Sequence, residues 1–266
     1  MIEGAPPQFD PGLDVMFEPQ PMGFRYGVGV YGPQPEHRRL NDLRASLLDP
    51  HASGPDPVYC IAMDVGYEQH RALLEQMHLL YGVVAYAPGK IGSEPVRTQG
   101  HVHAASPYSG WSTPELIEVW QGEGLFYLQE FVEDDPGRCV AIHARVGEHV
   151  VIPPGWAHFV ASALTVVPLV FGAWCTRVYA FEYAGVRARG GLAWFPVFDE
   201  EGRVRWRSNP RYSGTRTINE KMARSYPELG LSTARSIYRQ FAENPECMRW
   251  VSEPGRMRDV WRGFEP

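Results

Sequence analysis

Two histidines separated by one residue, His101 and His103, stand in the stretch TQGHVH, and a glutamate, Glu115, follows after a polar loop. In a β-strand alternate side chains point to the same face, so both imidazoles would project together while Val102 points away. Two such imidazoles can bind one metal ion, or they can simply line a polar strand face. The pair alone does not decide between a metal site and a structural role.

A second stretch, GEHVVIPPGWAHFVAS, carries a third histidine, His158. Gly147 and Pro153 precede it at spacings that resemble the second motif of the cupin fold position by position. The first stretch resembles the first cupin motif, since Glu115 is followed by six residues and then Gly122. The resemblance implies an all-β fold, a cupin barrel (double-stranded β-helix or jelly roll), with an N-terminal arm and flanking helices around it.

The ligand set that this resemblance implies is His101, His103, Glu115 and His158, holding one divalent metal ion per chain. Three neutral imidazoles and one carboxylate suit Fe²⁺, Mn²⁺, Ni²⁺, Co²⁺ or Zn²⁺, so the sequence does not choose the metal. Positions for exchangeable ligands would remain open on the ion, which is the property that separates a catalytic metal site from a closed structural one.

Other ionisable residues near the motifs are not predicted to be ligands. Glu118 has the opposite strand parity to Glu115, so we expect it to face outward into solvent. His143 and His149 are expected to be structural. His70 and His78 lie eight residues apart on a predicted helix, where packed or solvated histidines are the expected role.

More specific residues surround the two motifs. The pattern Pro-x2-Thr-x-Gly-His-x-His, then Glu, then Pro-Pro-x-Trp-Ala-His resembles the signature of the metal-dependent, cupin-type phosphoglucose isomerases of archaea and some bacteria. The likeness covers roughly residues 38 to 212, including the stretches RRLNDL, YAPGKIGSEP and DEEGRVRWRSNPRY. The matching positions are Pro95, Thr98, Gly100, His101, His103, Glu115, Pro153, Pro154, Trp156, Ala157 and His158.

This resemblance implies an isomerase that interconverts glucose 6-phosphate and fructose 6-phosphate. The cation would polarise the C1 and C2 oxygens, and Glu115 would be the catalytic base if a proton is transferred, whereas a hydride shift would need no base. Thr98 and the Gly100 amide occupy the family's phosphate-binding stretch. Tyr183 stands near a family tyrosine that contacts substrate, although a core aromatic is an equally good interpretation. The family also implies a homodimer.

Two positions depart from the signature. Ile117 stands where the family has a tyrosine, on the same strand face as Glu115, and Val84 stands where relatives often have a threonine. Each change removes a hydrogen-bonding group, at a cost of about 1–3 kcal/mol where the partner is left unsatisfied. Three alternatives therefore stay open: an isomerase of another sugar phosphate, a cupin Fe(II) dioxygenase, and a sugar-phosphate-binding cupin without turnover. Tyr108 and Trp111, in the loop before Glu115, are candidate replacement contacts.

The elements that must position these residues are read from the hydrophobic pattern. Short β-rich runs separated by Gly, Pro and Asp fill residues 80 to 208, a spacing typical of a sandwich or barrel. We expect an N-terminal arm with a short helix over 1–50, the cupin barrel over 51–212, and a C-terminal helical extension over 213–266, all within one domain.

Three helices are predicted outside the barrel strands. The first lies within residues 38–50, with Asn41 as a candidate N-cap. The second covers 67–80, where leucines recur at helical spacing. The third covers 232–244, with Ser232 as its N-cap.

Composition excludes several classes of function. The formal charge is 25 − 31 = −6 without a long basic cluster, so neither nucleic acid nor an anionic membrane is an expected partner. No apolar run approaches the length of a transmembrane helix, and no signal peptide is evident at the N-terminus. The four cysteines are scattered without a C-x-x-C pair, which favours reduced thiols and a cytoplasmic protein.

Overall fold

The computed structural model describes residues 9–214 and 217–266, and β-strands dominate them. The strands are β1 Val15–Pro19, β2 Met22–Tyr26, β3 Val30–Tyr31, β4 Glu36–Arg38, β5 Tyr59–Met63, β6 Gly66–Tyr67, β7 Leu79–Tyr86, β8 Lys90–Ile91, β9 Glu94–Pro95, β10 Val102–His103, β11 Glu115–Gln121, β12 Glu123–Gln129, β13 Cys139–Arg145, β14 His149–Ile152, β15 Ala157–Ser162, β16 Val170–Thr176, β17 Phe181–Glu182, β18 Trp194–Phe198, β19 Val204–Ser208 and β20 Ile218–Met222. The helices are short: α1 Leu40–Leu43, α2 Arg71–Gln76, α3 Ala184–Ala188, α4 Ile237–Glu243, α5 Arg249–Ser252 and α6 Arg258–Trp261.

Two sheets form the barrel. The larger sheet has the strand order β14-β11-β16-β7-β5-β4, and the smaller one has the order β15-β12-β13-β20. Neighbouring strands run antiparallel except for the parallel pair β13 and β20. From β11 onward the chain crosses repeatedly between the two sheets, with β12 and β13 in the smaller sheet, β14 in the larger, β15 in the smaller and β16 in the larger, as in a jelly roll. The all-β cupin prediction is therefore confirmed, and the edge strands β4 and β20 lie outside the expected barrel range of 51–212.

The core between the two sheets follows the two-residue period of the strands. In β11, Ile117 and Val119 point inward and join the apolar cluster that fills the barrel, while Leu116 points outward into a second cluster. The same alternation runs along the facing strands. It fixes which side chains of β11 reach the barrel interior.

Both outer faces of the barrel are covered. The C-terminal helices lay Tyr238 and Phe241 on Trp174 of the six-stranded sheet, with ring centroids 5.5 and 4.7 Å from the indole. On the four-stranded sheet, Trp206 packs 5.5 Å from Tyr127. Strands buried on both faces read as continuous apolar runs rather than alternating ones, which is why β7 and β16 are buried along their whole length.

The N-terminal arm was expected to cover residues 1–50 with a short helix, and its described part holds a hairpin, two further short strands and helix α1. Strands β1 and β2 pair from Val15 opposite Tyr26 to Pro19 opposite Met22. Phe24 of this hairpin packs against the outer-face cluster of the large sheet. Residues 1–8 of the predicted arm lie outside the described residues.

The predicted helix caps were wrong in both cases. Asn41 lies inside α1; the residue before that helix is Arg39, whose backbone N–H donates to the Asp42 carboxylate at 2.9 Å. Helix α4 begins five residues after Ser232, and its first backbone N–H, that of Ile237, donates to Glu118 of the barrel at 2.9 Å. A side chain from a distant strand thus replaces the local cap.

The helix predicted over 67–80 is shorter in the structure. A 3₁₀ turn over Glu68–His70 leads into α2, and the chain then reverses at His78, whose φ is 52°. Leu79 and Leu80, which the helical pattern included, instead open β7. Both pair with β16, so sheet formation overrides the local helical preference there.

In the described parts of the chain, no helix has the length and apolar character needed to cross a bilayer. All four cysteines are free thiols.

Candidate metal centre

The backbone brings the first and third histidines into register. His101 and His158 form an isolated antiparallel bridge, in which each N–H donates to the other's carbonyl at 3.0 Å. Residues directly opposite each other in such a bridge present their side chains on the same face. His103, two residues further along the chain, adds the third imidazole to that face.

The three imidazoles and one carboxylate converge. Ring centroids are 4.4 Å apart for His101 and His158, 4.9 Å for His103 and His158, and 5.0 Å for His101 and His103. One nitrogen from each ring lies within 4.8 Å of the other two. Glu115, the first residue of β11, places Oε2 at 3.8 Å from His103 Nε2 and 3.7 Å from His158 Nε2.

Hydrogen bonds to backbone carbonyls orient two of the rings. His103 Nδ1 lies 2.8 Å from the Thr113 carbonyl, and His158 Nδ1 lies 3.2 Å from the Trp156 carbonyl. A carbonyl only accepts, so each Nδ1 carries the proton and each Nε2 presents a lone pair to the centre. His101 Nε2 is buried without any hydrogen-bond partner. An unsatisfied buried acceptor is costly unless another group binds it.

Burial keeps the rings of His101 and His103 neutral. Desolvation, with smaller contributions from His158 and His103, lowers the pKa of His101 well below its usual value. Desolvation, followed by the neighbouring His158, lowers the pKa of His103 to about 4. A metal binds neutral imidazole, so both rings are ready as donors at neutral pH. Three convergent imidazoles, one of them with an unsatisfied ring nitrogen, and an adjacent carboxylate fit a divalent ion with an N₃O donor set.

The cluster lies in a cavity at the mouth of the barrel. Thr98 and Tyr183, two of the three predicted substrate contacts, line this cavity together with the four predicted ligands. The ring of Tyr183 is 5.7 Å from that of His101. The third predicted contact, Gly100, is buried beside the cavity rather than among the residues that line it. Its φ of +89° and the closeness of Leu192 explain the need for glycine there.

The two departures from the family signature also line the cavity. Ile117 and Val84 both contribute apolar surface to its wall, as the strand parity predicted for Ile117. Tyr108 and Trp111 do not replace the lost contacts. Tyr108 stacks on His78 at 3.7 Å, and Trp111 lies against the C-terminal segment, because the loop folds outward over that segment.

Glu118 faces outward as predicted, but the prediction that it is solvated was wrong. It is completely buried, and its Oε1 accepts hydrogen bonds from His149 Nε2 at 3.0 Å and from the Ile237 N–H at 2.9 Å. Burial raises the pKa of Glu118 against the opposing effect of His149. His149 and His143 both lie away from the cavity, and His143 pairs with Glu123 at 2.6 Å.

Sequence reasoning did not single out Arg38 or the pair Glu94 and Arg97. Arg38 lines the cavity from the edge strand β4, and the pattern around it shows only a basic pair. Glu94 and Arg97 form a fully buried ion pair at 2.7 Å beside the Thr98 stretch. The i, i+3 spacing of these opposite charges was the available signal, but nothing local shows that they are buried.

The comparison with known proteins agrees with this arrangement. The family model described as glucose-6-phosphate isomerase matches residues 37–213. Two curated relatives are named glucose-6-phosphate isomerase and come from Thermococcus gammatolerans and Pyrococcus furiosus. The first is 28% identical over 180 residues, 66% of this chain and 86% of that protein. The second is 27% identical over 194 residues, 71% of this chain and 93% of that protein.

Solved structures give weaker likenesses. An oxalate oxidase structure has a TM-score of 0.29 with 21% identity, covering 40% of this chain and 46% of that one. Vicilin from hazelnut (Corylus avellana) has a TM-score of 0.34 with 14% identity, covering 49% and 33%. The family assignment therefore depends on the sequence match, which spans well over half of the chain and contains all four converging side chains. This chain belongs to the glucose-6-phosphate isomerase family.

Proposed function

We propose that this protein is a metal-dependent aldose–ketose isomerase that interconverts glucose 6-phosphate and fructose 6-phosphate. The observation that carries the proposal is the convergence of three imidazoles and Glu115 in one cavity of a chain from this family. His101, His103, Glu115 and His158 would hold the ion. A divalent cation bound there would act as a Lewis acid toward the C1 and C2 oxygens, on which negative charge develops during isomerisation.

Glu115 is the group proposed to move the proton. Its carboxylate stands at the rim of the histidine cluster, with 18% of the side chain exposed to the cavity side. In the proton-transfer route, Glu115 Oε2 takes the proton from C2 of the open-chain aldose and returns it to C1, while the hydroxyl proton on O2 passes to O1; the reverse reaction starts at C1 of the ketose. The protonated carboxyl is neutral between the two steps.

Other residues hold the histidine rings in position and shield the reacting carbons from water. Thr113 and Trp156 hold the rings of His103 and His158 through backbone carbonyls, so each ring keeps one tautomer throughout the reaction. Phe181 packs on His101 and His103 with centroid distances of 4.5 and 5.5 Å. This aromatic cover limits access of water to the reacting carbons.

A coupled assay tests the activity and separates the alternatives. Conversion of fructose 6-phosphate to glucose 6-phosphate is measured before and after EDTA, and again after Mn²⁺ or Fe²⁺ is restored. Turnover that is lost with chelation and recovered with metal supports the isomerase. Oxygen consumption would instead indicate a dioxygenase, and binding without turnover a sensor. An isomerase active on another sugar phosphate alone would overturn the assigned substrate.

Isotope transfer tests the role of Glu115. Glucose 6-phosphate deuterated at C2 is converted in light water, and the product is analysed by mass spectrometry. A base on the protein exchanges its proton with solvent, so deuterium should be partly lost. Complete retention in the product would favour a hydride shift and remove the base role from Glu115.

We further propose that the enzyme works in the cytoplasm as a homodimer with one metal ion per chain. The support is the composition, the free thiols and the family resemblance. Metal analysis of purified protein together with its molar mass in solution checks both stoichiometries. A monomer, or less than about half an ion per chain after metal loading, would contradict this part.

A further inference from the structure

One basic side chain lines the metal cavity in the described parts of the chain. This is Arg38, at the end of β4 on the edge of the six-stranded sheet. All the other lining residues are neutral except the histidines and Glu115. The whole protein carries a charge of −6, which disfavours an anionic ligand unless a local cation offsets it.

The strand register places Arg38 beside another residue of the cavity wall. Arg38 pairs with Tyr59 across β4 and β5, and Tyr59 is itself buried in the cavity wall. The side chain of Arg38 is about one-third exposed, so the guanidinium is neither sunk in the core nor free on the surface. The backbone of Arg38 is held by the sheet, and the residue lines the cavity.

Tyr183 connects this cation to the histidine cluster. Its ring lies 5.7 Å from the ring of His101. The positive charge of Arg38 acts on its hydroxyl and favours the ionised form. Burial raises the pKa of Tyr183, and Arg38 and then Arg187 act against that rise. The guanidinium and the imidazoles therefore neighbour the same aromatic side chain from within one cavity.

The guanidinium of Arg38 has more N–H donors than its bond to Glu36 uses. Its Nη1 donates to Glu36 at 2.8 Å, and Glu36 is a mostly exposed residue of the same strand. A guanidinium carries five N–H donors in a planar fork that matches two oxygens of a phosphate. The exposed Glu36 carboxylate pairs only weakly in water, so a phosphate dianion can take over the fork.

We propose that Arg38 binds the phosphate group of the substrate and is the residue that makes this cavity prefer phosphorylated sugars. The inference rests on the proposed isomerase function and names a contact for the phosphate within the same cavity. Its geometric basis is that Arg38, Tyr183 and the histidine cluster line one cavity, in which Arg38 is the one arginine or lysine among the described lining residues.

Arg187 is the nearest competitor for this role. It donates from Nε to Gln99 Oε1 at 2.9 Å and lies over the Tyr183 ring at 5.1 Å, but it is not among the residues that line the cavity. Its contacts orient Gln99 and Tyr183. Arg187 is therefore a positioning residue, and Arg38 is the one that reaches the ligand.

The test compares Arg38→Gln with the wild type, using Arg38→Lys as a graded variant. Arg25→Gln is the matched control, because Arg25 also pairs with a nearby glutamate, at 3.0 Å, but on the outer hairpin. We expect Arg38→Gln to raise KM for fructose 6-phosphate by about ten- to a hundred-fold with a much smaller change in kcat. Inhibition by inorganic phosphate should weaken in parallel, and Arg38→Lys should fall between.

Calorimetric binding of fructose 6-phosphate and of inorganic phosphate separates this inference from the proposed function. Metal content and circular dichroism verify that the Arg38 variants are folded. Unchanged binding of both probes by folded Arg38→Gln overturns the phosphate contact, and the isomerase stands if the wild type turns over. Arg38-dependent binding in a wild type without turnover supports the contact and overturns the isomerase. Absence of phosphate binding by the wild type overturns the contact.

Discussion

Strand β11 carries one glutamate on each face of the large sheet, and each glutamate lies within 4 Å of a histidine ring nitrogen. On the inner face, Glu115 lies 3.8 and 3.7 Å from the Nε2 atoms of His103 and His158, beyond hydrogen-bonding distance. On the outer face, Glu118 lies 3.0 Å from His149 and also accepts from the backbone N–H of Ile237. Both faces pair glutamate with histidine, but only the outer glutamate forms hydrogen bonds to its neighbours.

This contrast shows how a binding cluster differs from a structural one. The outer pair is saturated by protein groups, as buried polar groups in a stable fold normally are. The inner group leaves lone pairs unshared, including His101 Nε2, and such unsatisfied atoms are costly unless a ligand uses them. Burial and residue type alone would not have distinguished the two clusters.

The largest effect is expected from His158→Ala. Removing one of three imidazoles should strip most of the metal and lower isomerase turnover by about a thousand-fold, since a Lewis acid supplies several kcal/mol. The backbone bridge to His101 does not depend on the side chain, so the barrel should stay folded. Metal content by mass spectrometry, activity and circular dichroism check this. His143→Ala, in a pair with Glu123 that is about one-third exposed, is the control that should keep its metal. Unchanged metal stoichiometry in His158→Ala would refute the assignment.

The outer cluster should respond in stability rather than in metal content. Glu118→Ala leaves His149 and the Ile237 N–H buried without a partner, which should cost about 3–5 kcal/mol of unfolding free energy. Glu123→Ala breaks a similar glutamate–histidine pair that is about one-third exposed, and should cost under about 1 kcal/mol. Denaturant unfolding with parallel metal analysis measures both. A loss of metal from folded Glu118→Ala would mean that the two faces are not independent.

Ile117→Tyr restores, on the inner face of β11, the tyrosine hydroxyl that the family signature has at this position. If glucose 6-phosphate is the substrate, the new hydroxyl should raise kcat/KM by about three- to ten-fold, the worth of one neutral hydrogen bond. Ile117→Phe has the same bulk without the hydroxyl, and both should lose about 1–3 kcal/mol of stability from overpacking. Equal kinetics for the two variants would indicate that another sugar phosphate is bound.

The smallest change in unfolding free energy is expected for the partly exposed ion pair of Asp64 and Arg177. Burial alone would raise the pKa of Asp64, but its two hydrogen bonds to Arg177, at 2.8 and 2.9 Å, hold the pKa below its usual value. A lowered carboxyl pKa stabilises the fold above the unfolded value near 4, and this contribution is lost as pH falls through the folded pKa.

Asp64→Asn should therefore cost no more than about 1 kcal/mol at pH 7, because the pair is partly exposed. The difference from wild type should vanish in acid, which unfolding curves between pH 7 and pH 3 would show. A cost as large as that of Glu118→Ala would contradict the view that burial sets the value of these pairs.

The resemblance to the two cupin motifs implied the candidate ligands, and strand geometry explains why their side chains share one face. The one-residue gap between His101 and His103 fixes a common face, and the parity of Glu115 and Ile117 sends both inward. Each of these rules operates over a few residues. The Thr98 and Tyr183 positions in the cavity came instead from the family resemblance.

The wrong predictions share another cause. Parity placed Glu118 on the outer face correctly, but it does not show what covers that face. The cover is the C-terminal helical segment, more than a hundred residues away in sequence and beyond the family match of 37–213. The same packing puts Glu118 of the barrel in place of the Ser232 cap, and contacts with the C-terminal segment draw Tyr108 and Trp111 away from the cavity. Local propensity gives no information on such contacts.

Taken alone, the amino-acid sequence determined the β-rich fold and the inward face of each motif strand, because strand periodicity and turn chemistry are local. The identity of the candidate ligands followed from the resemblance of the two motifs to those of cupins. Only the tertiary structure decided which polar atoms are satisfied and which are left open, and that Arg38 shares the cavity with His158. Those outcomes depend on which distant segments pack together, and the free energy of that packing belongs to the whole chain.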